Sequence, residues 1–237
     1  MIKIKILYDN YPAEEDFITG WGFSCLIQIP HQNILFDTGG DSHILLYNFN
    51  KAKIDPKIIN KIVISHYHGD HTGGLKGLFP LLENLELYMG NFSYEHLSAS
   101  FPQKMKVQLI KDKPLEIYSG ILSTEELGSY IKEISLILRT EKGFILITGC
   151  AHPGIINILQ RAIEIAQDKP FMILGGLHLL SKNKSEIKDI IEFFKSCKLR
   201  YIAASHCTGD KAREMFREAF KENFINAGVG KEIILEG

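Results

Sequence analysis

The sequence is poor in the features that mark several large classes of protein. It has four cysteines in 237 residues, none of them in a C-x-x-C pair, which does not fit a disulfide-stapled secreted domain. No apolar run reaches the roughly 18 residues that a transmembrane helix needs. Lys and Arg number 27 against 28 Asp and Glu, so the net charge of −1 gives no positive excess for binding nucleic acid. We therefore expect neither a membrane nor a nucleic-acid partner.

The composition that is present is that of a globular protein, with 45% hydrophobic and 23% charged residues. The first residues alternate Ile with Lys, which predicts a half-buried strand and not a signal peptide. We therefore expect a cytoplasmic protein with reduced thiols. No linker rich in Pro, Gly or Ser interrupts the chain, so the prediction is one domain over residues 1–237.

The order of predicted elements favours an α/β fold with mixed sheets covered by helices. Strands dominate the first third, and strands alternate with helices in the last third. Between them, the pattern predicts a helix over 72–82 with Thr72 as its cap. The segment 83–130 is expected to hold short strands and a lid whose aromatic residues stack on the flat ring of a substrate. The aromatic residues are Tyr88, Phe92, Tyr94 and Phe101, and ordinary core packing is the alternative explanation for them.

The strongest motif is His66-Tyr67-His68-Gly69-Asp70-His71, directly after a β-branched run over 61–65 that predicts a buried strand. A turn after a strand, eased here by Gly69, can aim neighbouring side chains into one space, whereas a straight strand alternates them between two faces. Four ligands on one turn cannot all surround one tetrahedral ion, so they suit two adjacent ions completed by distant residues.

Three more histidines follow predicted strands, and each lies near glycine: His152, His178 and His206. The loops after the strands of open α/β sheets are where functional groups gather. We expect the remaining histidines to lie on turns or helix surfaces without a functional role: His31, His43 and His96.

The sequence resembles the metallo-β-lactamase superfamily over nearly the whole chain. The resemblance is carried by the histidine motif, by the earlier Phe36-Asp37-Thr38-Gly39 and by the late Ser205-His206. The resemblance implies an αββα sandwich of two mixed β-sheets flanked by helices, with a dinuclear metal site. Three further segments resemble the dihydropteroate-synthase-like branch of this superfamily: residues 148–155, 175–179 and 205–209. Members of that branch are often labelled synthases of a dihydropterin-linked ribofuranosylaminobenzene phosphate.

The resemblance also implies roles for particular residues. His66, His68 and His152 would hold the first metal, and Asp70, His71 and His206 the second. Asp37 would accept a hydrogen bond that orients a ligand. Many superfamily members have a bridging Asp after a Thr-Gly pair, whereas this chain has Cys150, which leaves open a role near the metals or a small packed residue. His178 and Asp70 are expected to act as acid and base.

The predicted function is that of a dinuclear enzyme that uses a metal-bound hydroxide or a metal-held phosphate on a small anionic substrate. A dihydropterin phosphate is the substrate we favour, in a synthase or a hydrolase reaction. The alternatives are a general phosphodiesterase, lactonase or thioesterase, and a metal-bound module without turnover. Zinc is the default ion for His-rich sites, with iron or manganese as alternatives. Homo-oligomerisation is left open.

Overall fold

The computed structural model describes residues 1–83, 85–103 and 105–235, and they fall into two compact units. Unit 1 comprises residues 1–111 with the C-terminal segment from Gly228, and unit 2 comprises residues 112–227. The prediction of a single domain stays a prediction, which a single cooperative unfolding transition would support. Among the described residues, no helix is long and apolar enough to cross a lipid bilayer.

Unit 1 contains a seven-stranded mixed sheet in the order β13-β1-β2-β3-β4-β5-β6. The pairs from β13 to β3 are antiparallel, and those from β3 to β6 are parallel. Its strands are β1 (Ile2–Tyr8), β2 (Ser24–Ile29), β3 (Gln32–Phe36), β4 (Lys61–Ile64), β5 (Glu86–Gly90), β6 (Lys106–Ile110) and β13 (Glu232–Leu235).

In the described part of unit 1, four α-helices accompany this sheet: α1 (Ser42–Lys51), α2 (Gly69–Thr72), α3 (Leu75–Leu78) and α4 (Asn91–Leu97). The core of unit 1 lies where Leu45 and Phe49 of α1 and Leu78 of α3 pack against sheet residues such as Leu35 and Ile62. Short 3₁₀ turns lie at Pro56–Ile58, Phe79–Leu81 and Ser98–Ser100.

The predicted helix over 72–82 is right only in part: α3 and the 3₁₀ turn at Phe79–Leu81 lie within it, but it is not continuous and Thr72 is not its cap. The helical turn begins earlier, at Gly69, and Thr72 ends it instead of capping its start. The interruption follows from Gly73 and Gly74, where a Cβ would lie 2.1 Å from the Gly40 carbonyl oxygen and 2.2 Å from that of Thr38. These long-range backbone contacts, and not local helix propensity, decide the path of the chain here.

Unit 2 contains a six-stranded mixed sheet in the order β12-β11-β10-β9-β8-β7. The three strands β10, β11 and β12 are parallel, and the pairs from β10 to β7 are antiparallel. Its strands are β7 (Leu115–Tyr118), β8 (Ile121–Ser123), β9 (Leu136–Thr140), β10 (Gly143–Thr148), β11 (Pro170–Gly176) and β12 (Tyr201–Ser205).

Three amphipathic helices cover the sheet of unit 2: α5 (Ile155–Ala166), α6 (Lys184–Ser196) and α7 (Asp210–Phe220). The buried face of α5 includes Ile158, Leu159 and Ala162, whose spacing matches the helical period. Helix α6 begins with a capping box between Asn183 and Glu186. Further 3₁₀ turns lie at His206–Thr208 and Lys221–Asn223. Each unit thus has one mixed sheet flanked by helices, which confirms the predicted fold class.

Candidate metal centre

The first candidate cluster lies at the carboxyl ends of the adjacent parallel strands β3 and β4 in unit 1. Asp37 follows β3, and Ser65 and His66 follow β4. The Asp37 backbone N–H donates to the Val63 carbonyl oxygen, which keeps the two strand ends in register. His68 occupies the N-cap position of α2, and Asp70 and His71 lie within that helix. One strand end and one helical turn therefore position the whole motif.

Asp37 organises this cluster through hydrogen bonds to three groups. Its Oδ1 accepts from the Ser65 backbone N–H at 2.7 Å, and its Oδ2 accepts from Ser65 Oγ at 2.7 Å. The same Oδ2 lies 2.7 Å from His71 Nδ1, which must be the protonated nitrogen because a carboxylate only accepts. Nε2 is then the lone-pair nitrogen of His71, as metal binding requires.

Ser65 sets the tautomer of His66 in the same way. Its hydroxyl hydrogen is given to Asp37, so Ser65 Oγ accepts from His66 Nδ1–H at 2.9 Å. Nε2 becomes the lone-pair nitrogen of His66. Asp37, His66 and His71 have no exposed surface, so this network lies in a low-dielectric setting where hydrogen bonds are strong.

The imidazoles of this cluster converge. His66 Nε2 lies 3.1 Å from His68 Nδ1, and the ring centroids of His66 and His71 are 4.3 Å apart. His71 Nε2 lies 3.6 Å from Asp70 Oδ2. Two nitrogens bound to one tetrahedral zinc at ~2.05 Å would be about 3.3 Å apart, so the separation in His66 and His68 already matches a shared ion. These donors fit a divalent metal.

The second candidate cluster lies at the carboxyl ends of β10, β11 and β12 in unit 2. Cys150 and His152 follow β10, His178 follows β11, and His206 follows β12. A Cβ built on Gly176 would lie 3.2 Å from His206 Cδ2, so His206 sits directly against the end of β11. Cys150 Sγ and a ring nitrogen of each of His152 and His178 lie within 4.8 Å of one another.

Three residues of these loops adopt a strained backbone conformation. The φ angles are 62° at Ala151, 54° at His178 and 48° at His206, a left-handed conformation that is costly for residues with a Cβ. Asp37 in unit 1 shares it, with φ of 55°. Such strain persists only where the surrounding contacts over-determine it, and it gathers at functional sites.

Glu133 supplies such contacts, and sequence reasoning missed it. Its Oε1 accepts from the backbone N–H groups of Cys150 and Ala151, and its Oε2 accepts from that of His152, each at 2.9 Å. The residue is 1% exposed. Three donors on one buried carboxylate hold the loop 150–152 in its left-handed conformation.

Cys207 was not assigned a role from the sequence, but it contacts two candidate residues. Burial opposes its ionisation, yet hydrogen bonds of its sulfur with the side chains of Cys150 and His178 outweigh burial and hold the pKa of Cys207 well below its ordinary value. The bond with Cys207 in turn raises the pKa of His178. Cys25 differs, because burial raises the pKa of its thiol well above the ordinary value. All four cysteines are reduced and unbridged.

The aromatic residues expected to form a lid divide into two groups. Tyr94 and Phe101 pack against the core of unit 1, and Tyr88 is buried with its hydroxyl donating to Glu86. Phe92 instead joins Tyr67 and His96, with the rings of Tyr67 and His96 stacked at a centroid distance of 4.3 Å. The Tyr67 ring also lies 4.9 Å from that of His68, so this trio borders the first cluster.

The histidines expected to have no function lie on the surface. His31 is exposed in the β2–β3 turn with a φ of 65°, and His43 is exposed at the start of α1. His96 is exposed on α4, in contact with Tyr67 and Phe92. The candidate ligands predicted from the sequence thus lie just after strand ends in each unit, whereas these three histidines lie on the surface.

Comparisons with known proteins identify the family of the chain. Residues 22–99 match the family model of the metallo-beta-lactamase superfamily. A 7,8-dihydropterin-6-methyl-4-(beta-D-ribofuranosyl)-aminobenzene-5'-phosphate synthase of Methanocaldococcus jannaschii is 30% identical, covering 98% of this chain and 96% of that protein. An uncharacterized protein of the same organism is 32% identical over 97% of this chain and 99% of the other.

The same fold occurs in the crystal structure of a metal-dependent hydrolase of the beta-lactamase superfamily. It aligns over 100% of both chains with a TM-score of 0.86 and 24% identity. The fold and the two clusters define a protein of the metallo-β-lactamase class. The chain belongs to the metallo-β-lactamase superfamily and, within it, to the branch that includes the dihydropterin synthase relative.

Proposed function

We propose that this protein is a dinuclear metal-dependent enzyme acting on a small anionic substrate. The observation that carries the proposal is the pair of imidazole nitrogens, His66 Nε2 and His68 Nδ1, that converge to 3.1 Å in a buried network anchored by Asp37. By resemblance to the superfamily, His66, His68 and His152 hold one ion, and Asp70, His71 and His206 hold the other. Zinc is the ion we expect.

The residues of the chain have distinct tasks in this proposal. When bound, two divalent ions supply an activated water and positive charge for a phosphate or a leaving oxygen. Asp70, which is less buried than His71, holds the proton taken from the attacking group. His178 has a raised pKa, so a larger fraction is protonated near neutral pH, and it donates a proton to the leaving group or to a phosphate oxygen.

A dihydropterin phosphate is the substrate class we propose. The name of the Methanocaldococcus jannaschii relative supports it, since that protein is a synthase of a dihydropterin-linked phosphate. The half-buried Tyr67 and Phe92 also support it, because aromatic rings beside a metal site can stack on a flat heterocycle. In a synthase reaction, an aromatic nucleophile would displace pyrophosphate from the dihydropterin methylene, with release of a proton.

Metal removal and one matched pair of variants test this function. The substrates are a dihydropterin pyrophosphate with a ribofuranosylaminobenzene phosphate, and beside them a phosphodiester, a lactone and a thioester. We expect His68→Ala and chelator treatment to abolish turnover, and His31→Ala, which removes an exposed imidazole, to leave it unchanged. Full activity of the metal-stripped protein would refute the proposal. Turnover of only the simple esters would replace the synthase with a general hydrolase, and tight binding without turnover would indicate a binding module.

Two further expectations accompany this function. The protein is expected to work in the cytoplasm on a small molecule, without a nucleic-acid partner. Fractionation of cells and gel filtration of the purified protein would check the location and the oligomeric state.

A further inference from the structure

Cys150 lies in polar surroundings that small packed residues do not usually have. It is 4% exposed, and its sulfur lies within 4.8 Å of a ring nitrogen of both His152 and His178. The ring centroids of those two histidines are 4.4 Å apart. The Cys150 sulfur and the His152 imidazole are donors that zinc and cobalt favour, whereas His178 keeps the acid role proposed above. Around a tetrahedral zinc such donors would be about 3.3–3.6 Å apart, so small side-chain movements would complete the site.

We propose that Cys150 supplies a thiolate ligand to the metal centre to which His152 is assigned. This inference rests on the proposed function, which assigns His152 to a metal. It gives the centre a soft sulfur donor. Ligation breaks the Cys150 S–H bond, forms a sulfur–metal bond and releases one proton to solvent.

The local backbone favours Cys150 in this role. Its N–H group and that of His152 are both held by the buried Glu133 carboxylate, at 2.9 Å each. The intervening Ala151 is left-handed, with φ of 62°. A strained loop held at three backbone groups keeps the sulfur and the imidazole in a fixed relation, as ligands of one ion require.

Cys207 is the neighbouring cysteine and has a different environment. Its Sγ donates to the Cys150 carbonyl oxygen at 3.5 Å and bonds with the side chains of Cys150 and His178. A Cβ on Gly176 would lie 2.7 Å from this sulfur, so Cys207 packs against the end of β11. Its sulfur is engaged with the Cys150 and His178 side chains, and the proposal assigns the ion to Cys150, so Cys207 provides a matched control.

Cobalt substitution under reducing, anaerobic conditions tests the proposal without any activity assay. We expect the cobalt-loaded wild type to show a near-ultraviolet sulfur-to-cobalt charge-transfer band. Cys150→Ser should lose the band while keeping its circular dichroism, and Cys207→Ser should keep the band. Retention of the band in Cys150→Ser, or its loss only in Cys207→Ser, would overturn the assignment.

The failure of this inference is distinguishable from failure of the proposed function. If the wild type binds cobalt and shows only ligand-field bands, the metal centre stands and Cys150 is not a ligand. If the wild type binds no cobalt, the proposed function itself fails, and the Cys150 assignment fails with it. Should Cys150→Ser not fold, cadmium-113 NMR of the wild type replaces it, because a thiolate ligand shifts the resonance strongly downfield and a nitrogen and oxygen set does not.

Discussion

Glu133→Gln is the most informative single change in unit 2. The amide keeps the shape of the side chain but leaves one oxygen for three backbone N–H donors, and its NH₂ group would face the N–H of His152 or of Cys150 and Ala151. The loop 150–152 therefore loses its charge-assisted anchor and gains at least one buried donor without an acceptor.

The magnitude follows from the bonds involved. One buried N–H left unsatisfied costs about 1–3 kcal/mol, and hydrogen bonds to a charged acceptor exceed those to a neutral one by about 1 kcal/mol each. With the two remaining bonds weakened, the expected loss of unfolding free energy is roughly 3–5 kcal/mol. Glu164→Gln is the matched control, since its carboxylate is mostly exposed and an exposed ion pair contributes about 0–1 kcal/mol.

Hydrogen exchange is the sharpest assay, because it reports the three amides individually. In Glu133→Gln the amides of Cys150, Ala151 and His152 should exchange much faster than in the wild type, and urea unfolding should show the loss in free energy. Unchanged protection at these three amides, with a free-energy change below about 0.5 kcal/mol, would refute the role assigned to Glu133.

Three other predictions concern unit 1. Asp37→Asn should lower metal affinity about 10–100-fold in chelator competition, because the hydrogen bond that orients His71 loses its charge; unchanged affinity would contradict this. Gly69→Ala should fold normally, since a Cβ there meets nothing within 4 Å. Gly73→Ala should be strongly destabilised, because its Cβ would lie 2.1 Å from a carbonyl oxygen. Thermal unfolding of the two variants tests this difference, and equal melting temperatures would contradict it. Hydrogen bonds with Lys61 and Tyr88 lower the pKa of Glu86 in the folded protein below its value in the unfolded chain. These bonds therefore stabilise the fold above about pH 4.3, and this stabilisation is lost as the pH falls through the folded-state pKa of Glu86. Because the Glu86 side chain is 45% exposed, Lys61→Met should lower the difference in unfolding free energy between neutral and acid pH by only about 1 kcal/mol. Urea unfolding at both pH values measures this difference, and an equal difference in the variant and the wild type would contradict the prediction.

The parts of the fold that the sequence predicted well depend on local patterns. The alternation of strands and helices in the last third is confirmed, because features such as the face of α5 and the capping box of α6 are determined within a few residues. The metal-binding motif His66–His71 could be recognised for the same reason, since its donor residues are adjacent in the chain. The αββα class came from the resemblance to a known superfamily and is confirmed by the fold match.

The parts that escaped prediction depend on distant residues. Glu133 acts on backbone groups 17 to 19 positions away, and no spacing rule connects them. The break after Thr72 comes from carbonyl oxygens of residues 38 and 40. Gly69 was expected to ease a tight turn, yet it lies in a helical turn without a positive φ, so that interpretation was wrong. The ligand roles themselves stay predictions until a metal is measured.

The metal content of protein purified without chelator tests the central claim most directly. Elemental mass spectrometry of the wild type should give about two ions of zinc, iron or manganese per chain. His71→Ala should lower that number, and His31→Ala should not. One ion or none in the wild type, persisting after reconstitution with zinc, would contradict a dinuclear centre and leave the second set of ligands, Asp70, His71 and His206, without its proposed role.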